Sequence, residues 1–311
     1  MTIITEEMRY RQRLCEYALK HGVTKAARRY HTYRQFVYRQ LDRYDGTVRS
    51  LALRSRRPHS HPNAHTKAEI DLIMTMYKRH GEYGLAEVYV KAKEKGYDRC
   101  FQSMCRQIRK RKKKTKKRRT RKSYTKYKNI VGKFPGDKVQ IDIKYVPTET
   151  IRFNTYGKRY YQITAIDEAT RKRVLKIVEE KSTYETAKFL RELEPKMGFK
   201  IHTIQTDNGT EFANDDDRTD KKNSFQKAIK QLNMSLRRTR PYSPWQNGRV
   251  ERSHRVDQEI LYDRHTFYSK KQLIKAVARH EYKYNNTAKY VLNFRTPEEM
   301  VKKLKTKYGI A

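Results

Sequence analysis

The chain has 311 residues, long enough for two or three domains with a sizeable core, and carries 74 Lys+Arg against 34 Asp+Glu, a formal charge of +40. Such an excess repels itself unless a polyanion neutralises it, which points to nucleic acid. No run approaches the roughly 18 apolar residues of a membrane helix, Met1 to Arg13 lacks an apolar signal core, and Cys15, Cys100 and Cys105 are too few for a disulfide framework; the expectation is an intracellular protein with no membrane partner.

Helical periodicity opens the chain. Leu14, Tyr17, Ala18 and Leu19 fall near helical spacing, and the helix should stop at His21-Gly22. A short helix over Lys25 to Tyr30, capped by Thr24, and a third over Tyr33 to Tyr44 complete a helix-turn-helix unit within residues 1–50, with Arg34, Gln35 and Arg39 as candidate DNA contacts. A helical bundle with a solvated basic face is the plain alternative. After the polar connector Arg54 to Pro62, residues 64–110 are expected to form a second helical DNA-binding unit, with a winged form allowed for, in which Ile70, Ile73, Met74 and Tyr77 share a face. Its last helix, Arg99 to Lys110, carries Gln102, Ser103, Arg106 and Gln107, of which Gln102 and Arg106 are further candidate contacts. From Lys110 to Lys122 only Thr115 and Thr120 are not Lys or Arg, and residues 111–130 are taken as a basic linker.

Beyond it the pattern turns to strands. Val139, Ile141, Ile143 and Tyr145 alternate with Gln140, Asp142 and Lys144 over Lys138 to Val146. Further strands are expected at Ile151 to Phe153, Tyr160 to Ile166, Arg173 to Val178 and Ile201 to Gln205, with Gly157-Lys158 as a hairpin turn. Helices are expected over Thr183 to Met197, with Pro195 in its last turn or at its end, over Ser224 to Leu232, and over Arg249 to Tyr262. This succession makes residues 131–265 an α/β domain with a mixed sheet, and 266–311 a C-terminal helical segment.

Three acidic residues stand out within the α/β domain. Asp142 lies mid-strand opposite the apolar face, where a carboxylate is either paired with Lys or Arg or held for a metal. Asp207 ends a strand at a sheet's carboxyl edge, with Gly209 permitting a sharp exit. Glu251 sits in the first turn of a helix, where the dipole favours an anion, and Arg255 and Gln258 share its face. A solvent-exposed Glu251–Arg255 pair and a mere Asp-Asn-Gly loop are the plain alternatives. Taken together, three hard oxygen donors suit Mg²⁺ or Mn²⁺ and a two-ion in-line displacement at phosphorus.

The segments Gln140-Ile-Asp142, Tyr160 to Thr170, Thr206-Asp-Asn-Gly-Thr-Glu-Phe212, Pro241 to His254, Tyr284-Asn-Asn286 and Arg295-Thr-Pro-Glu298 closely resemble the integrase-like DDE transposases of bacterial insertion sequences, and through them the retroviral integrases. The resemblance implies a ribonuclease H-like core in which Asp142, Asp207 and Glu251 are catalytic metal ligands for two ions. It also implies a nucleoid-associated protein of the bacterial cytoplasm. The chain would bind terminal inverted repeats, cleave the element's ends and join each 3′-OH to target DNA, acting as at least a dimer, with Arg252, His254 and Arg255 placing the DNA end. One departure is the polar stretch Ala213 to Asn223, which lengthens the interval from Asp207 to Glu251 and reads as a surface insertion. Asp167 and Glu211 are given ion-pair or capping roles. No zinc is expected, because His61 and His65 lie in or beside a Pro-rich connector and four residues separate Cys100 from Cys105. Two competing readings remain: a DNA-binding regulator that has lost catalysis, and a divalent-dependent nuclease without strand transfer.

Overall fold

The computed structural model describes residues 4–53, 58, 61–112, 132–212, 223–240 and 243–310; the basic linker beyond Lys112 and residues 213–222 of the insertion lie outside the described residues. Two compact units result, Met1–Ala64 and His65–Ala311.

The first unit is helical. Its α1 (Glu6–His21) begins where the Thr5 hydroxyl accepts the Met8 N–H at 3.3 Å, and it ends at Gly22, whose φ of +85° suits glycine. The second helix, α2 (Val23–Arg29), starts directly from Gly22. Thr24 is therefore inside it and caps nothing, contrary to expectation. The third, α3 (Arg34–Leu41), is shorter at both ends than its apolar stripe suggested. Leu14, Ala18, Ala26, Ala27 and Val37 meet in one core. The 3-10 turn Val48–Leu51 closes it, and its Leu51 carbonyl accepts from the buried Arg11 at 3.1 Å.

The second unit opens with α4 (Lys67–His80), started by a capping box between Thr66 and Glu69. It continues through α5 (Leu85–Lys93) and α6 (Phe101–Arg111). Ile73, Val88, Tyr97, Met104 and Ile108 form their core, and Cys105 is buried with them. Among the described residues of 64–112 no strand forms.

A five-stranded mixed sheet follows, built from β1 (Val139–Tyr145), β2 (Tyr161–Asp167), β3 (Arg173–Val178), β4 (Thr203–Thr206) and β5 (Ser235–Arg238) in the spatial order β3-β2-β1-β4-β5. The first three strands are antiparallel; β4 and β5 run parallel to β1 and reach it through α7 (Thr183–Met197) and α8 (Ser224–Gln231). Val139, Ile141, Ile163, Ala165 and Val174 pack one sheet face on Phe189, Leu190 and Leu193 of α7 and Phe225 and Ala228 of α8. The opposite face is covered by α9 (Gly248–Ile260) and α10 (Lys270–Asn285), and α11 (Pro297–Tyr308) ends the chain. This is the helical-then-mixed-sheet architecture of a ribonuclease H-like core that the resemblance implied.

Two sequence expectations fail here. Ile151 to Phe153 makes only one isolated bridge, Ile151 to Phe267, because Thr150 and Arg152 exchange backbone hydrogen bonds with Phe267 ahead of α10 rather than with a sheet strand. Lys158 N–H then closes a tight turn on the Thr155 carbonyl at 2.9 Å, and no hairpin forms around it. Conversely, β5 had no signal, since Ser-Leu-Arg-Arg neither alternates clearly nor is rich in β-formers.

Beneath α9 and α10, beside an apolar cluster that includes Leu175, Leu261, Phe267, Leu273 and Val277, lies a buried polar network. Arg173 and Asp257, both fully buried, pair at 2.6 Å, and Asp257 also accepts from Gln162 at 2.7 Å and contacts His280 at 2.8 Å. The Arg173 guanidinium stacks 3.7 Å from the Tyr284 ring centre. Burial alone would raise the Asp257 carboxyl, but Arg173, His280 and Gln162 outweigh it and hold it far below the usual carboxylate range.

Candidate active site

Parallel pairing of β1 with β4 sets Gln140 beside Gln205. Continuing that register two residues would set Asp142 beside Asp207, on one face of adjacent strands roughly 4.8 Å apart. The pairing stops at the glutamines, and β4 ends at Thr206, so the strands part where the two carboxylates emerge. Backbone that parts at the carboxyl edge of parallel strands makes a crevice suited to a ligand.

Asp142 is half-buried there. Its carboxylate accepts the Ile143 N–H at 2.8 Å, and its Oδ2 lies 3.4 Å from Nδ1 of His254 on α9. Neither partner is a Lys or Arg, so among the described residues the ion pair weighed for Asp142 is not made. Burial first, then the charges of Asp207, Glu251 and Glu211, push its carboxyl up to about 7, against a partial offset from Ile143 N–H. Burial holds His254 down to about 4, so its neutral ring offers no charge to offset the acids. Asp207 is raised chiefly by burial, with Glu211 adding to it, while Gly209 N–H at 3.1 Å and Lys181 act against the rise. Glu251, exposed in the first turn of α9, is raised by partial burial.

What brings α9 to this edge is a pair of glutamines, each two residues before an aspartate. Gln140 Oε1 accepts the Arg249 and Val250 N–H groups, both at 3.2 Å, and so caps α9 from the neighbouring strand. Its Nε2 donates to the Gln246 carbonyl at 3.1 Å, as the Gln205 amide does at 2.8 Å. The buried Glu168 completes the fastening: it pairs with Lys138 at 3.0 Å and Arg249 at 2.7 Å and accepts from Gln140 at 2.6 Å. Lys144, two residues beyond Asp142, reaches across to Gln258 Oε1 at 2.7 Å and the His254 carbonyl at 3.3 Å. Sequence reasoning passed over Gln205, Glu168 and Lys144, although the repeated Gln-x-Asp was legible.

Several expected contacts sit elsewhere. Arg255 pairs with Glu259 at 2.8 Å rather than with Glu251, and Gln258 turns to Lys144 and Asp263. Arg252 is exposed, whereas His254 backs onto Asp142. Arg34, Gln35 and Arg39 are exposed along α3, and Gln102 and Arg106 along α6; Gln107 is engaged with His65 at 3.0 Å. Asp167 holds the turn after β2 by accepting from Thr170 and Gly136, and Glu211 pairs with Lys181 at 2.9 Å. Gly209 has no positive φ; its role is room, since a Cβ there would lie 2.5 Å from the Glu211 carboxylate.

Carboxylate oxygens without a cationic partner at Asp142 have the chemistry of a divalent-cation site, because hard donors and an unneutralised negative field favour Mg²⁺ or Mn²⁺. Among the described residues, no group of three or more His, Cys, Asp or Glu side chains stands close enough to enclose a metal by itself.

Residues 133–244 match a family model described as an integrase core domain, and residues 232–288 match a second model of the same description. No curated protein matches the sequence. Among solved structures, the chain is similar to one in a cryo-electron microscopy structure of the simian T-cell lymphotropic virus intasome in complex with a PP2A regulatory subunit. Identity is 18%, coverage 73% of this chain and 74% of that chain, and the TM-score 0.44.

Proposed function

The chain belongs to the integrase-like catalytic-core superfamily, and from that membership we propose that it is a DNA transposase acting through Asp142, Asp207 and Glu251. The superfamily's core supports a recombinase-like function with polynucleotidyl transfer, generally with divalent metals. The observation that carries the finer reading is that the β1–β4 pairing stops just before two aspartates of matching register, and that Gln140 of β1 caps the helix whose Glu251 charge acts on Asp142.

In this reading Asp142 and Asp207 hold one side of the scissile phosphate's site and Glu251 the other. Bound divalent cations would neutralise charge on the attacking and leaving oxygens. Asp142 binds them only after losing the proton that burial and its acidic neighbours favour, so cation affinity rises with pH toward 7 and beyond. The Gln140, Gln205 and Glu168 network fixes Glu251 against the strand pair, which is the preorganisation that phosphoryl transfer needs. Arg252 lies exposed one residue after Glu251 and supplies a cation for the incoming backbone. Exposed Arg34, Gln35 and Arg39 on α3, and Gln102 and Arg106 on α6, support two helical DNA-binding modules that select the element's ends; both ends engaged at once require at least two protomers. No described helix is long and apolar enough to cross a membrane.

Labelled element ends incubated with plasmid and Mg²⁺ or Mn²⁺ test the proposal. Joined products from the wild type, absent with Glu251→Gln while DNA binding persists, are expected. Tight binding with neither cleavage nor joining would replace it with a silent regulator, and cleavage without joining with a nuclease.

A further inference from the structure

Along α10, Lys271, Lys275, Arg279 and Lys283 recur every fourth residue, all exposed, and among the described residues none makes an ion pair with a carboxylate. Spacing of four residues puts them on one side of the helix, about 6 Å apart along its axis. The helix keeps Leu273, Val277 and His280 buried, and its one acidic residue, Glu281, accepts from the Leu175 N–H of β3 at 2.5 Å. Acid and apolar groups thus face the sheet, and the cations face away.

Three of those four cations line a groove of about 720 Å³ whose other wall comes from the end of α4 and the start of α5. His80, Tyr83 and Glu87 form that wall, with Tyr282, Asn286 and Thr287 at the α10 end. Lys283 Nζ sits 4.0 Å from the Tyr83 ring centre, so the aromatic floor holds the cation in place. Glu87 is the one carboxylate in the lining, and it is occupied by accepting the Ala288 N–H at 2.7 Å. Exposed cations beside amide and hydroxyl donors, over an aromatic floor, are the groups that grip a phosphate backbone without reading bases.

We propose that this groove binds the backbone of duplex DNA, as a contact separate from the carboxylate edge. The inference rests on the reading of DNA as the protein's substrate. From Lys271 to Lys283 the stripe runs about 18 Å, roughly five base pairs of duplex at 3.4 Å per phosphate on one strand. Its helix packs on β3, the sheet edge farthest from β4, so a duplex lying here is engaged away from the strand being cut. Contacts of this kind add affinity and register but no sequence preference.

The test is duplex binding over a salt series, comparing wild type, K275Q/R279Q/K283Q, and a charge-matched control, K302Q/K303Q/K307Q, at exposed positions of α11. Loss of three phosphate contacts should lower the log–log salt slope by nearly 3 and weaken binding at least about tenfold near 0.15 M salt. The control should change the slope by less than about 1. Should the triple variant fail to fold, a benzophenone amino acid in place of the exposed Tyr282 is expected to crosslink to duplex DNA. Equal losses in stripe and control variants, or no crosslink at 282, would overturn the groove while leaving cleavage at the carboxylates intact; a wild type that binds no duplex would overturn both.

Discussion

Asp142 carries an energetic burden in the absence of a cation. Burial and the neighbouring Asp207 charge push its carboxyl up to about 7 in the folded chain, against roughly 3.9 in an unfolded one. Between those values the unfolded chain has released the proton and the folded one has kept it. Folded stability therefore falls as pH rises from about 4 to about 7, and stays reduced above. Asp142→Asn removes that fall. At pH 8 and without divalent ions, the variant is expected to melt higher than wild type, by an amount corresponding to roughly 1–3 kcal/mol, with the gap narrowing at pH 5 and closing only below about pH 4. Added Mg²⁺ should raise the wild-type midpoint and leave the variant's nearly unchanged. A variant that melts lower at pH 8 would show that Asp142 is already neutralised. Arg173 and Asp257 behave oppositely, because each is buried against the other. Removing one partner, as in Arg173→Met, is expected to cost about 3–5 kcal/mol in chemical denaturation, and Arg173→Met with Asp257→Leu markedly less than the two single losses added.

At the scale of elements, the site depends on how α9 is tied to the sheet. Gln140→Leu leaves the Arg249 and Val250 N–H groups without their acceptor, a loss of about 1–3 kcal/mol in stability. Because Glu251 follows directly, the variant should also lose at least roughly tenfold in cleavage rate while duplex affinity stays within about twofold; unchanged cleavage would mean that α9 holds its place without the cap. Most elements were legible from periodicity: Arg173–Val178 and Thr183–Met197 fall where the apolar pattern puts them. Legibility ended where tertiary pairing decides. Ile151 to Phe153 has strand composition but finds Phe267 instead of a strand, and β5 has poor composition yet is drawn in by parallel pairing with β4. The three proposed acids were singled out from local context and motif. Their supports were not, since Glu168 meets Lys138 from another strand and Arg249 only after the chain folds back from a distant helix.

For the whole molecule, charge sets behaviour. A chain of +40 is expected to lose about 10³–10⁵ in DNA affinity between 50 and 200 mM salt if six to ten phosphates are contacted. A nearly flat salt series would contradict the electrostatic footprint. The total charge and the basic run from Lys110 to Lys122 could be read from the sequence, but not the groove: the stripe on α10 becomes one only when α4 and α5 supply its second wall.

The central claim is that Asp142, Asp207 and Glu251 form one divalent-dependent catalytic centre. Single-turnover cleavage of labelled DNA ends in Mg²⁺ measures it most directly, comparing wild type with Asp142→Asn, Asp207→Asn, Glu251→Gln and the triple variant. Groups acting as a unit are not additive, so each single variant should lose nearly as much rate as the triple, about 10³-fold or more. Any single variant cleaving within about tenfold of wild type would contradict the claim.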